Sequence, residues 1–317
     1  MKNHTFEDWS PRKSNFLNDV ITGLKNTQKS IQAKYFYDKK GSEIFDEICD
    51  LEEYYPTRTE VSILQKLTKE LDSFLKENSS LIEYGSGSST KIRTILDNSQ
   101  KVASYTALDI SKDHLLEATK EIASNYQNLS INAIHADYMN MNYDYFTRLD
   151  NKIVFFPGST IGNLKEEEAK TLLSNTRKVL TNDGYALIGF DLQKDIEIIK
   201  RAYNDKSGVT SRFNKNILER MNEEFEADID IHLFDHEARY CDRNHRIEMH
   251  LVSKVDQKVR LDNEVFSFKK GESICTEYSH KYSLESFEKI ASSAGFDTEK
   301  YWTDEQNLFA VILLRTR

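Results

Sequence analysis

Proline is scarce in this chain, with three in 317 residues, and glycine is little commoner, with eleven. So little of either excludes a collagen-like or low-complexity polymer, and sixteen Tyr and seventeen Phe supply the apolar bulk that disordered segments lack. Cysteine occurs three times, as Cys49, Cys241 and Cys275. The odd count and wide spacing exclude a disulfide framework and a clustered ligand motif, so a reducing cytoplasm is the expected setting. Of eight His, only His232 and His236 stand four apart, and they lie in a strand-like run where that spacing does not converge; no metal is expected. No apolar run approaches the length of a membrane span, and the polar stretch 1–19 has no signal-peptide core, so no membrane partner is expected. Blocks of Lys or Arg are missing too, and the formal net charge is −9. That balance weighs against nucleic acid and favours a small-molecule substrate. With nothing to suggest a large exposed apolar face, a monomer is expected.

What is present begins with Leu81-Ile-Glu-Tyr-Gly-Ser-Gly-Ser-Ser-Thr-Lys91. An apolar strand end runs into a glycine-rich turn, and a helix start follows. Glycines let a backbone pass close beneath a nucleoside cofactor because they carry no Cβ and accept positive φ. The dinucleotide fingerprint wants a third glycine three residues after the second, but Thr90 stands there after Gly85 and Gly87. A nicotinamide oxidoreductase is disfavoured on that ground. The acidic Glu83 two residues before Gly85 gives Glu-x-Gly-x-Gly, the usual first motif of Rossmann-like methyltransferases. Asp109 ends a second strand-like run, 102–108, at about the spacing of a ribose-binding carboxylate. Asp137 follows a third run, 131–134, where methyltransferases commonly meet the adenine amino group. A single carboxylate after a strand is ordinary loop chemistry, whereas three at successive strand ends favour a cofactor.

Strand-like and helical segments alternate from about 57 to 191, which implies a parallel sheet with helices on both faces. Thr57-Arg-Thr-Glu60 reads as a capping box opening a helix through Phe74. Strands are predicted near 81–84, 102–108, 130–134, 152–156 and 184–190, the last after the turn Asn182-Asp-Gly184. Two helical runs, 195–205 and 212–225, then lead to strand-like segments at 231–241, 245–255, 258–268 and 273–280. A helix over 283–294 and strands near 297–302 and 307–314 would complete a seven-stranded sheet. The expected fold is therefore α/β, a Rossmann-like class I methyltransferase sheet with a second, α+β substrate-binding domain. Residues 56–194 and 283–317 would form the first, and 1–55 and 195–282 the second, with the stretch before Pro56 serving as a lid.

Further motifs flank this frame: Lys34-Tyr-Phe-Tyr-Asp38, Gly41-Ser-Glu-Ile-Phe45, Glu53-Tyr-Tyr-Pro-Thr-Arg-Thr-Glu60, Phe156-Pro-Gly-Ser-Thr-Ile-Gly-Asn-Leu164, Ala202-Tyr-Asn-Asp205, Gly208-Val-Thr210, Phe213-Asn214 and Arg246-Ile-Glu-Met-His-Leu251. Together they resemble the histidine-specific Nα-methyltransferases of ergothioneine biosynthesis, from about residue 30 to the C-terminus. The resemblance implies transfer of three methyl groups from S-adenosylmethionine, released as S-adenosylhomocysteine, to the α-amino group of L-histidine, giving hercynine. It further implies that Tyr54, Asn163 and Tyr203 hold the amino acid's backbone end, with Tyr37 near the amine. Glu277 and Ser279 would read the imidazole, Met249 would pack beside it, and Gly85, Gly87, Lys91, Asp109 and Asp137 would hold the cofactor.

Taken singly, these residues say less. Tyr54, Tyr203 and Met249 read as core, Glu277 in an alternating strand as a solvent-face charge, and Asn163 with Glu166 as a helix cap. Asn214, Asn222 and His236 sit in family-like surroundings with no chemistry assigned. No dedicated catalytic base is expected; Tyr37, Tyr54 and Asn163 would act by positioning. The rival readings are a related methyltransferase acting on another aromatic amino acid and a non-catalytic cofactor-binding protein.

Overall fold

The computed structural model describes residues 3–9, 14–180 and 182–317. The chain divides into two compact units, one of Met1–Ser10, Pro56–Lys194 and Lys281–Arg317, the other of Pro11–Tyr55 and Asp195–His280.

The first unit is built on an eight-stranded sheet, ordered His4–Asp8, Ser130–His135, Val102–Asp109, Ser79–Tyr84, Lys152–Phe156, Tyr185–Asp191, Phe309–Thr316, Phe296–Thr303. The first six run parallel, and the last two are antiparallel to their neighbours. Every residue of the central strand Ser79–Tyr84 is buried, as a strand covered on both faces requires. The period of two sorts its side chains: Leu81 joins Tyr105, Ile131, Phe155 and Val311 in one core, while Ile82 and Tyr84 join Leu108, Phe156, Ile188 and Ile312 in the other. Helices Tyr55–Phe74, Thr90–Leu96, Lys112–Asn125, Glu166–Leu180 and Leu284–Ser293 accompany this sheet. In the second core Phe190 stacks on Phe287 with centroids 4.1 Å apart.

One strand exceeds the expected seven. His4–Asp8, predicted to go with the other domain, pairs in parallel with Ile131–His135. Its sequence carries little apolar pattern because it lies at the edge of the sheet and is held by polar contacts. Asn3 Nδ2 donates to the carbonyls of Tyr126 and Leu129, and His4 Nε2 meets Thr119 Oγ1 at 3.0 Å. The return crossing also comes earlier than expected, between His280 and Lys281.

In the second unit, strands Lys29–Ser30, Ser273–His280, Arg246–Ser253 and Phe234–Cys241 form a four-stranded sheet in that order. Helices Ser14–Leu24, Lys39–Cys49, Ile196–Ala202 and Val209–Phe225 belong to the same unit. The run 258–268, predicted as one strand, is a hairpin of Gln257–Leu261 and Glu264–Phe268, turning at Asp262 with φ +52°. Asp and Asn tolerate such turns, and the alternating apolar pattern on both sides masks the break. Asp205 accepts from the backbone N–H groups of Val209 and Thr210, tying down the start of Val209–Phe225. Among the described residues, no helix is long and apolar enough to cross a membrane.

Candidate functional site

In the sheet unit, the candidate cofactor residues stand at the carboxyl ends of adjacent parallel strands, where open α/β sheets bind ligands. Gly85 and Gly87 follow Ser79–Tyr84 with φ +69° and +50°. A Cβ on either would meet nothing within 4 Å, so the turn borders open space. Beside it the buried Ser86 Oγ has no hydrogen-bond partner. Asp109 ends the neighbouring strand and steadies the turn: the Gly87 N–H donates to its Oδ2 at 2.9 Å, and the Ser111 N–H to its Oδ1 at 2.8 Å. The Ile110 backbone N–H bonds the same carboxylate. Burial raises the Asp109 carboxyl above the usual range, and those backbone donors oppose the rise. Asp137, one strand further, accepts from the Met139 N–H and the Asn140 amide.

Lys91 is held by a buried carboxylate. Its Nζ lies 2.7 Å from Glu60 Oε2, and Glu60 is fully buried. Glu60 also accepts from the Gly158 N–H, 2.9 Å from Oε2. Opposite it, a Cβ on Gly189 would sit 1.9 Å from Glu60 Oε1. The expected capping box at Thr57–Glu60 is thus corrected. The helix starts at Tyr55, and its Glu60 carboxylate reaches Lys91 in the helix after the glycine turn and Gly158 in the loop after Lys152–Phe156. Nothing in the local pattern marks this role, because a Glu six residues into a helix ordinarily faces solvent.

Glu83, the acidic residue of the glycine motif, lies inside the sheet and accepts from the Tyr105 O–H at 2.5 Å. Burial pushes its carboxyl up to about 8, with the Tyr105 bond and the Lys91 charge opposing the rise. Asn163 ends the short turn Thr160–Asn163 that follows strand Lys152–Phe156, behind Ser159 at φ +58°. At the next helix the Lys165 N–H donates to Glu168 Oε2, in place of the Asn163–Glu166 pairing expected of a cap.

In the second unit the structure gathers Tyr37, Tyr54, Tyr203, Met249, Glu277 and Ser279. Tyr54 and Tyr203 meet edge to face at 6.3 Å, and Phe45 and Phe213 extend the wall to Tyr37 at 5.6 and 5.7 Å. Burial holds the Tyr54 phenol well above its ordinary range, with the charges of Tyr203, Cys49, Tyr37 and Glu277 adding to it. The Tyr203 O–H donates to Ser279 Oγ at 2.8 Å. Between Cys275 and Glu277 the pairing with Arg246–Ser253 shifts register, leaving Thr276 as the extra residue. That bulge changes which side chains share a face. Cys275 stands opposite His250, whereas Glu277 stands opposite Met249 and Ser279 opposite Ile247. Glu277 and Ser279 therefore leave the face of Cys275 and join that of Met249, where both are buried.

On the opposite face, Glu248, His250 and Cys275 offer donor atoms within 4.8 Å of one another. Glu248 there already pairs with Arg246 and His250, and burial pushes the Cys275 thiol up to about 12. The group is a hydrogen-bonded ion-pair network flanking the bulge.

An open glycine turn, a ribose-type carboxylate and this strand order define a Rossmann-like class I methyltransferase, and the residues at the turn fit S-adenosylmethionine. Residues 16–316 match the family described as histidine-specific methyltransferase, SAM-dependent. The chain is 37% identical over 301 residues to a histidine N-alpha-methyltransferase of Mycobacterium tuberculosis (strain CDC 1551 / Oshkosh), covering 93% of each. It is 29% identical to ergothioneine biosynthesis protein 1 of Neurospora crassa, over 88% of this chain and 32% of that protein. A solved S-adenosylmethionine-dependent methyltransferase from Clostridium acetobutylicum ATCC 824 shares the fold with TM-score 0.50 at 12% identity, over 87% of this chain and 98% of that one. The chain belongs to the histidine-specific, S-adenosylmethionine-dependent methyltransferase family.

Two outcomes follow from the sheet unit. Glu60→Ala leaves the Lys91 ammonium and the Gly158 N–H without their buried acceptor, and should cost about 3–5 kcal/mol in urea unfolding; a loss below about 1 kcal/mol would refute the role. Glu83, raised from 4.5 to about 8, favours the folded state while protonated. That contribution is complete below 4.5 and is lost as pH rises through about 8. Thermal unfolding should show the decline for the native protein and a flatter profile for Glu83→Gln. Identical profiles would contradict the assignment.

Proposed function

We propose that the protein transfers three methyl groups from S-adenosylmethionine to the α-amino nitrogen of L-histidine, forming hercynine, the first step of ergothioneine biosynthesis. The observation that carries this reading is the bulge at Thr276, which puts Glu277 and Ser279 on the face of Met249 within a unit that also holds Tyr54 and Tyr203. A carboxylate and a hydroxyl two residues apart on one strand can each meet one nitrogen of an imidazole, and a thioether can pack against the ring. Ser279 Oγ accepts from the Tyr203 O–H, which fixes the hydroxyl oxygen beside the residue proposed to take the carboxylate. Tyr54 and Tyr203 are proposed to take the amino acid's carboxylate, and Asn163 is assigned to the same end by resemblance.

When bound, S-adenosylmethionine supplies an electrophilic methyl group on a sulfonium. The protein's own work is to hold the amine, align it and exclude water. In a peptide an α-amino group titrates at roughly 7.7–8.0, and in a free amino acid higher because the carboxylate steadies the ammonium, so a proton passes from the ammonium to solvent before each transfer. Tyr54, held protonated by burial, acts as a hydrogen-bond partner and not as a phenolate base. As methyl groups accumulate, the nitrogen becomes a bulky cation that cannot shed its charge. The rings of Tyr37, Tyr54, Phe45 and Phe213 suit that product through cation–π attraction.

The test is to supply methyl-labelled S-adenosylmethionine with each amino acid in turn. Label should pass to histidine; label on tryptophan or another amino acid instead would overturn the substrate while leaving the fold assignment standing. Combining Glu277→Ala with Met249→Val should raise the KM for histidine by about one to two orders of magnitude, the equivalent of a lost charged hydrogen bond, and admit a larger aromatic amino acid. An unchanged histidine KM in that double variant contradicts the role of Glu277.

A further inference from the structure

His236 is absent from the site set out above, yet it sits in a hydrogen-bond chain that runs from the Tyr203 backbone to Thr276, the residue before Glu277. Its Nε2 lies 2.9 Å from the Tyr203 carbonyl, and its Nδ1 lies 2.9 Å from Asn214 Nδ2. Asn214, fully buried, also sends Nδ2 to the His250 carbonyl at 3.2 Å and accepts at Oδ1 from the Thr276 hydroxyl at 2.6 Å. Thr276 is the bulge residue directly before Glu277.

The proton positions in this chain are fixed by its ends. A carbonyl can only accept, so the His250 carbonyl orients the Asn214 amide with its NH2 toward His250 and His236. That NH2 donates, so His236 Nδ1 must accept. The Tyr203 carbonyl also only accepts, so Nε2 must carry the proton. One arrangement satisfies all four groups, namely Thr276 O–H to Asn214, Asn214 N–H to Nδ1, and Nε2–H to Tyr203. Each bond polarises the next in the same direction. A second proton on Nδ1 would face the amide NH2 and break the chain.

We infer that His236, in its neutral Nε2–H form, is a positioning residue for histidine binding, locking the Tyr203 backbone to the bulge that aims Glu277 and Ser279. The inference rests on the proposed substrate reading. Burial holds the His236 ring below its ordinary 6.5; the Tyr203 carbonyl, Asp205 and Glu237 oppose that effect, and Lys215 reinforces it. The ring therefore stays neutral through the physiological range, and the lock opens only as pH falls below that lowered value.

Three measurements test it together. Long-range nitrogen–proton NMR of histidine-labelled protein, assigned with His236→Gln, should show His236 as the Nε2–H tautomer at pH 7; the other tautomer or an imidazolium would overturn the proposal. His236→Phe, which makes neither bond, should raise the KM for histidine roughly tenfold while kcat and the affinity for S-adenosylhomocysteine change by less than about twofold. His236→Gln, which can still donate to the Tyr203 carbonyl, should recover part of that loss. A histidine KM unchanged in both variants, or a parallel fall in kcat and S-adenosylhomocysteine affinity, would reduce His236 to a structural residue. Failure of the native protein to use histidine at all would instead overturn the substrate reading, and the tautomer measurement would still stand.

Discussion

A single buried carboxylate organises the carboxyl edge of the large sheet. Glu60 enters from the helix Tyr55–Phe74 and is shielded completely from solvent. Burying a charge so deeply is costly unless it is paired and hydrogen-bonded. Lys91 pairs with it, the Gly158 N–H donates to it, and Gly189 clears the space by lacking a side chain. The helix after the glycine turn, the loop after Lys152–Phe156 and the strand Tyr185–Asp191 are thereby tied to one point. Lys91, which by resemblance belongs to the cofactor, is held through that point, and the loop that carries Asn163 starts from it.

The second unit, proposed to read the substrate, uses a different device for the same purpose. One inserted residue, Thr276, reverses the facing of the strand beyond it, so that a glutamate expected in water is buried opposite a methionine. A bulge left unpaired would be a weak place to mount recognition. Here its hydroxyl is bound to Asn214, and through Asn214 and His236 to the backbone of Tyr203. Affinity for a small polar ligand depends on groups held in place before it arrives, since each side chain ordered on binding subtracts from the result.

Much of this was legible in the chain itself. The strand–helix alternation, the open glycine turn and the acidic residues Glu83, Asp109 and Asp137 at strand ends identify the cofactor half, because backbone geometry there demands particular residue types. The substrate half was legible only through its resemblance to a family. Tyr54, Tyr203 and Met249 are chemically ordinary core residues until the tertiary fold brings them beside Glu277. Register is where local pattern fails most clearly. A period of two says nothing about where an extra residue is inserted, so Glu277 read as a solvent-face charge and the hairpin 257–268 as one strand. The edge strand His4–Asp8 was hidden for a related reason, since its pairing rests on backbone bonds and polar side chains and not on an apolar face. Glu60 was misplaced as a cap because its partners, Lys91 and Gly158, lie far along the chain.

The most direct measurement is mass spectrometry of the product formed by the purified protein from L-histidine and excess S-adenosylmethionine, with NMR locating the added groups. The account predicts a gain of three methyls, all on the α-amino nitrogen. A product methylated on the imidazole ring would contradict it, because Glu277 and Ser279 could not then be holding that ring away from the reacting carbon.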